Sequence, residues 1–367
     1  MTPSNSEPLE LESAAPFGVA REDKQRALTT ALNELTELHR ARCEPYARVL
    51  SVMYPDQGPA TRSDQVPYLP VTVFKTHTLR SIAEAEIFKV LTSSGTTGQV
   101  PSRIYLDRDT ATRQTRALAH IMTSVLGPQR LPMILVDTKS VFQNRKSFSA
   151  RGAGLLGMAN FGRDHFYALD DQMQLDEPGL SAFLDKYSGK PLLIFGFTYM
   201  VWLYFLEAAR RMKADLSQAT LIHSGGWKKL TEQAVDNARF KATLREATGL
   251  ARVYNFYGMV EQVGGVFLEC DAGVLHAPSF GDLIARDVRS LEPAPFGQEG
   301  VLQVVSALPT SYPGHSLLTE DLGTVLGEDD CNCGRKGKYF SVRGRVARSE
   351  IRGCSDTHAP TVVRGAA

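Results

Sequence analysis

The sequence predicts an α/β protein, in which a mostly parallel sheet flanked by helices is followed by an antiparallel β subregion. Three observations support this. Up to about residue 264, short apolar or β-branched runs alternate with segments of helical periodicity, the pattern of strands joined by covering helices. Beyond residue 265 the helical pattern stops, and short strands follow one another with turn residues between them. The chain is also long enough for this architecture, with 367 residues, 43% of them hydrophobic and 22% charged.

The elements follow in order. Residues 20–52 repeat Leu, Ala and Val at helical spacing, with Pro45 as the expected break. "DQVPYLPVTVFK" carries two prolines and reads as an extended connector. "RIYLD" is a short strand, and Asp107 or Asp109 caps a helix running to Gly127. "PMILVDTK" is a buried strand. "GAGLLGMANFG" is too rich in glycine to assign. A helix starts near Pro178, a residue suited to the first turn. Then come a strand at 192–197, a helix at 199–213, the strand "ATLIHSGG", a helix at 230–248 and the strand "RVYNFYG". The β subregion reads "GVFLEC", "GVLHAP", "GDLIARDV", "EGVLQVVSAL", "HSLLTEDLGTVLG" and "KYFSVRGR".

Composition narrows the function. Lys plus Arg is 41 and Asp plus Glu is 40, a balance that argues against a general nucleic-acid or membrane-surface binder. The N-terminus is polar and acidic, without the basic and apolar regions of a signal peptide. The most apolar stretch, 191–206, is shorter than a membrane span and is split by Gly196 and Thr198. The five cysteines are odd in number, which suggests reduced thiols and a cytoplasmic protein. Cys43 reads as a small apolar filler.

Residues Ser93, Ser94, Gly95, Thr96, Thr97 and Gly98 form "SSGTTG". Such a run leaves backbone N–H groups and hydroxyls free to face an anion, most often phosphate. It lacks the Gly-Lys-Ser/Thr ending of the nucleoside-triphosphatase loop, and alone it also fits a surface turn. Open α/β sheets bind nucleotides at the carboxyl ends of their strands. Three loops fall at such positions: "SSGTTG", "SGGW" and "YGMVEQ".

Taken in order, "SSGTTG", "FYGMVEQ" and "LLTEDLG" resemble the adenylate-forming superfamily, and "FGFTY", "SGGWK", "CGRKGKYF" and "EIRGC" resemble its acyl-protein synthetase (LuxE-type) branch. The resemblance covers roughly residues 60–358. It implies residues 1–60 as a lead-in and helical segment, 61–345 as the adenylate-forming core (61–264 α/β, 265–345 β-rich), and 346–367 as a short tail in place of most of a small C-terminal domain.

The implied reaction consumes ATP with Mg²⁺. A carboxylate, expected to be a fatty acid, attacks the α-phosphate, and a cysteine then takes the acyl group as a thioester for a partner protein. That partner is a reductase, condensing enzyme or carrier protein; no nucleic acid or membrane is expected. Ser93 to Gly98 would cradle the β- and γ-phosphates. Tyr257 and Gly258 would line the adenine and α-phosphate region, Gly225 and Gly226 would let the backbone approach adenine, and Glu261 would hold Mg²⁺. His223 reads as a strand-end residue near the acyl site. Val260 stands where the family has Thr, with Gln262 as a candidate substitute donor. Asp321 would accept from both ribose hydroxyls, with Glu320 in the family's glycine place. Arg345 would contact the nucleotide phosphate or ribose.

The superfamily's late lysine has no counterpart, since no lysine follows Lys338. Lys228, Lys229, Arg343 and Arg352 are the candidate replacements. The resemblance implies Cys354 as the acyl acceptor, since acyl-protein synthetases carry an acceptor cysteine near their C-terminus, and the Arg352 guanidinium two residues before it could favour the thiolate. Cys270, His276, Cys331 and Cys333 have the composition of a structural Zn²⁺ site, though not the spacing of a zinc finger. Two other readings stand beside the synthetase: a phenylacetate-type carboxylate–CoA ligase, and a non-catalytic subunit that binds an acyl group or partner.

Overall fold

A computed structural model describes residues 10–93, 101–142, 150–227 and 233–345. The described residues form two compact units. One comprises 10–91, 102–128 and 256–345; the other comprises 92–93, 101, 129–142, 150–227 and 233–255.

The second unit carries the parallel sheet. Its strands run in the order Gly162–Leu169, Leu131–Thr138, Leu192–Phe197 and Ala219–Ser224, followed by Arg252–Tyr257, whose last two residues, Phe256 and Tyr257, belong to the first unit. The first four pair in parallel. Strands 192–197 and 219–224 are buried at every position, as expected of a sheet covered on both faces. Asp176 and Asp236 accept hydrogen bonds from the amides of Gly179 and Arg239, which sets the starts of helices Glu177–Lys186 and Asn237–Thr248. The apolar stretch after Phe197 is helical through 211, with a π-helical middle at Val201–Leu206. No helix among the described residues is long and apolar enough to cross a membrane.

The first unit is the β subregion with its N-terminal helices. Strands Gly281–Arg286, Glu299–Ser306, Ser316–Glu328, Lys338–Arg345, Leu275–His276 and Phe267–Glu269 form an antiparallel row in that order. Leu69–Pro70 adds a short parallel pairing to Leu317 and Leu318. A separate ribbon joins Lys89–Thr92 and Arg103–Leu106. Helix Arg21–Arg42 stops before Pro45, which opens helix Glu44–Met53. Asp107 caps helix Arg108–Leu126. Leu69, Phe74, Phe267, Leu302, Leu317 and Phe340 lie in its core.

Five segments depart from the sequence-level reading: the helix expected at 230–248 is found over Asn237–Thr248, Lys89–Thr92 forms a strand that the reading lacked, and three others follow. The connector expected to be extended contains the short helix Val73–Thr76. The unassigned "GAGLLGMANFG" is helical over Ala150–Ala159, and Gly154 lies where an added Cβ would sit 3.6 Å from the Phe197 ring. Gly162–Leu169 forms a strand that the reading lacked; it lies at the end of the row and leaves polar residues exposed, so it shows no apolar alternation.

Candidate functional site

The first unit brings three of the expected nucleotide residues, Tyr257, Asp321 and Arg345, together. Strand Ser316–Glu328 carries Asp321, and its neighbour Lys338–Arg345 places Arg345 directly opposite. Arg345 Nε lies 3.5 Å from Asp321 Oδ1. Tyr257 ends strand Arg252–Tyr257, and its hydroxyl donates to Asp321 Oδ2 at 2.7 Å. Its ring lies 5.9 Å from Phe267 and 6.1 Å from Phe340, nearly perpendicular to the latter. Burial raises the Tyr257 hydroxyl well above its usual range, and the Asp321 charge adds to the shift, so it stays a donor. Asp321 is further shaped by Thr319, whose hydroxyl accepts from the Asp321 amide at 3.1 Å and donates to the Leu302 carbonyl.

Glu261 follows in the tight turn Val260–Gln262 and is buried. Burial pushes its carboxyl upward, opposed by hydrogen bonding from Ser102 and by the charges of Lys75 and Arg345. Two glycines make the turn possible. Gly264 has φ +85°, and a Cβ there would sit 2.5 Å from the Gln114 carbonyl oxygen; at Gly314 a Cβ would sit 2.7 Å from that of Glu261. Gln262 does not serve as a substitute phosphate donor. Its amide nitrogen donates to the carbonyls of Val304 and Gly314 at 3.1 and 2.8 Å, and both its hydrogens stay within the fold. Gly258 has only an ordinary contact at the Cβ position, 3.4 Å from Val266, so neither crowding nor a positive φ requires glycine there.

The second unit holds other expected residues at the carboxyl ends of its strands. Gly225 has φ +81°, and a Cβ on Gly226 would meet nothing within 4 Å. His223 is buried. Thr198 donates to the Ser224 carbonyl, so its oxygen accepts from His223 Nδ1 at 2.9 Å. His223 Nε2 has no partner among the described residues, and burial, with a smaller contribution from Lys241, pushes the ring's pKa down to about 3. Phe240 lies 4.7 Å from the ring, and Trp202 stacks on Phe240. Asp137 and Arg151 form a fully buried two-point ion pair, with Nε to Oδ2 at 2.8 Å. Ser93 is described in this unit. Ser94 to Gly98, Lys228, Lys229, Arg352 and Cys354 lie outside the described residues.

The thiol cluster assembles in the first unit. Cys270, His276, Cys331 and Cys333 place their ligand atoms within 4.8 Å of one another. Cys333 Sγ is 3.4 Å from His276 Nε2, and the sulfurs of Cys270 and Cys331 are 4.0 Å apart. A tetrahedral zinc with Zn–S near 2.3 Å requires sulfur separations of about 3.8 Å, so the set fits that ion. Burial raises the Cys270 thiol, but hydrogen bonds involving His276 and the amides of Val274 and Ala272 outweigh it and leave the thiol below its ordinary value.

Two of these residues were not singled out from sequence. Lys75 sits on the unforeseen helix Val73–Thr76, half-buried, where its charge acts on Glu261. No motif marks it. Ser102 had one signal available, its position just after the Ser/Thr/Gly run.

Known proteins share this fold. Two solved conformations of 2-hydroxyisobutyryl-CoA ligase share the fold. An open form with 2-HIB-AMP and CoA has a TM-score of 0.69 at 20% identity, covering 94% of this chain and 80% of that one. A postadenylation form with R3-HIB-AMP has a TM-score of 0.68 at 21% identity, covering 94% and 72%. Long-chain-fatty-acid–luciferin-component ligase of Vibrio harveyi is 24% identical over 309 residues, 80% of this chain and 77% of the relative. The enzyme of that name from Aliivibrio fischeri is 26% identical over 279 residues, 71% and 70% of the two chains. The family model described as acyl-protein synthetase, LuxE, matches residues 3–362, and the chain belongs to that family of ligases.

Proposed function

We propose that this chain is an ATP-dependent acyl-protein synthetase that activates a long-chain carboxylic acid as its acyl-AMP and then carries the acyl group on Cys354. The observation that carries this is the corner formed by Tyr257, Asp321 and Arg345, with Glu261 in the same unit, in a chain of this family. The long-chain acid follows from the names of the Vibrio harveyi and Aliivibrio fischeri relatives.

Asp321 accepts the ribose hydroxyls, and the residues from Ser93 to Gly98 hold the β- and γ-phosphates. The carboxylate oxygen bonds to the α-phosphorus as the bond to the β-phosphate oxygen breaks, and pyrophosphate leaves. Lys75 and Arg345 supply positive charge to the anions at Glu261. Glu261 is a carboxylate raised by burial, and an oxygen ligand of this kind beside phosphates suits Mg²⁺. When bound, Mg²⁺ neutralises charge developing on the phosphates. Cys354 then loses its proton to solvent and attacks the acyl carbon as thiolate, and AMP leaves. A partner protein such as a reductase receives the acyl group from the thioester. The Cys270–His276–Cys331–Cys333 set holds Zn²⁺ as a closed structural site. We place the reaction in the cytoplasm, where ATP and reduced thiols coexist.

The test is incubation with ATP, Mg²⁺ and a panel of labelled carboxylic acids. The reading predicts pyrophosphate release and protein-bound, hydroxylamine-labile label that disappears in Cys354→Ser while acyl-AMP formation continues. Acyl-AMP consumed only by free coenzyme A would make the chain a CoA ligase. No pyrophosphate with any acid would make it a non-catalytic subunit.

A further inference from the structure

We infer that the N-terminal segment 15–24 is part of the zinc site: Phe17 and Arg335 are positioning residues that hold His276 and Cys333 in ligating geometry, so that zinc and this segment secure each other. This rests on the reading of Cys270, His276, Cys331 and Cys333 as a Zn²⁺ site.

A histidine that binds a metal ordinarily has its ring fixed by a hydrogen bond from its other nitrogen. His276 is buried, its Nε2 lies 3.4 Å from Cys333 Sγ, and its Nδ1 has no partner among the described residues. Aromatic packing takes the place of that bond. Tyr339 stacks on the imidazole with centroids 5.7 Å apart, and Phe17 meets it nearly perpendicular at 6.2 Å. Arg335 joins the Phe17 ring to the sulfurs. Its amide donates to Cys333 Sγ at 3.4 Å, and its Nη1 donates to the carbonyls of Leu268 and Glu269, on the strand that leads to Cys270. Its guanidinium carbon lies 4.4 Å over the Phe17 ring, a cation–π contact.

The segment is bonded to both stretches that supply ligands. Just after His276, Ser279 donates its amide to the Pro16 carbonyl and its hydroxyl to the Ala15 carbonyl, both at 2.6 Å. Just after Cys333, Lys336 donates its amide to the Phe17 carbonyl at 2.8 Å. Asp329, just before Cys331, accepts from the amides of Arg21 at 2.8 Å and Gly337 at 2.6 Å. Lys24 is buried, with its Nζ 4.0 Å from Asp282, which also accepts from Lys338 at 2.7 Å. A metal that fixes these stretches therefore fixes the surface on which residues 15–24 lie, and a segment that fixes them favours the metal. Such coupling is reciprocal, each partner strengthening the other by the same factor.

The experiment uses the full chain. Zn²⁺ affinity is read by competition with a chromogenic chelator, hydrogen exchange of residues 15–24 is followed with and without zinc, and thermal melting checks folding. Phe17→Ala weakens Zn²⁺ binding about tenfold or more. Phe17→Tyr, which keeps the ring, binds within about threefold of wild type. Leu50→Ala opens a cavity at a buried position of helix Glu44–Met53 and leaves residues 15–24 and the four ligands in place. It lowers the melting temperature but keeps Zn²⁺ affinity within about threefold of wild type. Removing zinc from the wild type speeds exchange in residues 15–24 about tenfold or more, the reciprocal of the Phe17→Ala effect. The inference is overturned if Phe17→Ala binds zinc as the wild type does, if Leu50→Ala weakens binding as much, or if exchange in residues 15–24 is the same with and without zinc. A wild type that binds no zinc brings down the zinc reading itself, and is distinguished because the unmodified protein fails.

Discussion

The first unit contains two polar corners that meet the cost of burial in opposite ways. Around Asp321 the groups satisfy one another: a tyrosine hydroxyl on one oxygen and a guanidinium near the other hold the carboxylate in shape without a ligand. At the thiol cluster, three sulfurs and one imidazole nitrogen converge within 4.8 Å, and His276 Nδ1 has no partner among the described residues. The contrast distinguishes two kinds of site. A corner that must release its ligand in each turnover carries internal partners, whereas a corner that keeps one ion throughout can depend on that ion for its shape.

The sharpest way to break the comparison is to exchange the expected effects. Asp321→Ala should lower acid-dependent pyrophosphate exchange at least about 100-fold while the melting temperature stays within a few degrees. Cys333→Ser should do the reverse, lowering the melting temperature by about 10 °C or more while exchange per folded molecule is retained. Metal analysis of the purified chain should find one zinc, and stripping it with a strong chelator should reproduce the Cys333→Ser melt. A loss of exchange without a change in melting after chelation would make the thiol corner catalytic.

A middle-sized effect sharpens the acidic side. Glu261→Gln should lower kcat about 10- to 100-fold and raise the Mg²⁺ concentration needed for half-maximal rate. Steady-state rates over a Mg²⁺ series read both quantities. An unchanged Mg²⁺ dependence would move the ion to other ligands.

The smallest effect concerns a third cluster, which serves only the fold. His39 Nε2 donates to the Pro309 carbonyl while Nδ1 accepts from Ser81, and His315 Nε2 donates to Thr36, so both rings are neutral. Burial pushes the His39 pKa from 6.5 to about 4, and it lowers His315 as well. Between those pH values the unfolded chain binds more protons, so stability is complete above about pH 6.5 and falls as pH drops toward 4. Urea unfolding should show a loss of about 2 kcal/mol from His39 between pH 7 and 5, with His315 acting in the same direction. Replacement His39→Gln should flatten that slope; a slope unchanged by it would assign the pH dependence elsewhere.

Much of this molecule was legible in the sequence because its strands are buried on both faces and bounded by clear turn residues. "PMILVDTK" and "ATLIHS" carry that signal. Gly162–Leu169 hides because an outermost strand keeps polar residues exposed, and Ala150–Ala159 hides because its glycines oppose the helix it forms. The acidic corner was readable as two motifs, but not as a contact: Tyr257 and Asp321 lie 64 positions apart, and only strand register joins Asp321 to Arg345. The Cys270, His276, Cys331 and Cys333 cluster was readable from residue type, because three cysteines and a histidine in one subregion have few other uses. Lys75 was not readable, since a single lysine in a proline-rich connector resembles any solvated charge.

The central claim is that Asp321 receives the ribose of ATP. A crystal structure with a non-hydrolysable acyl-sulfamoyl adenosine tests it most directly. The account predicts both ribose hydroxyls within about 3 Å of the Asp321 carboxylate, with the Tyr257 bond intact. An adenosine bound elsewhere, with Asp321 still turned only to Tyr257 and Arg345, would contradict it.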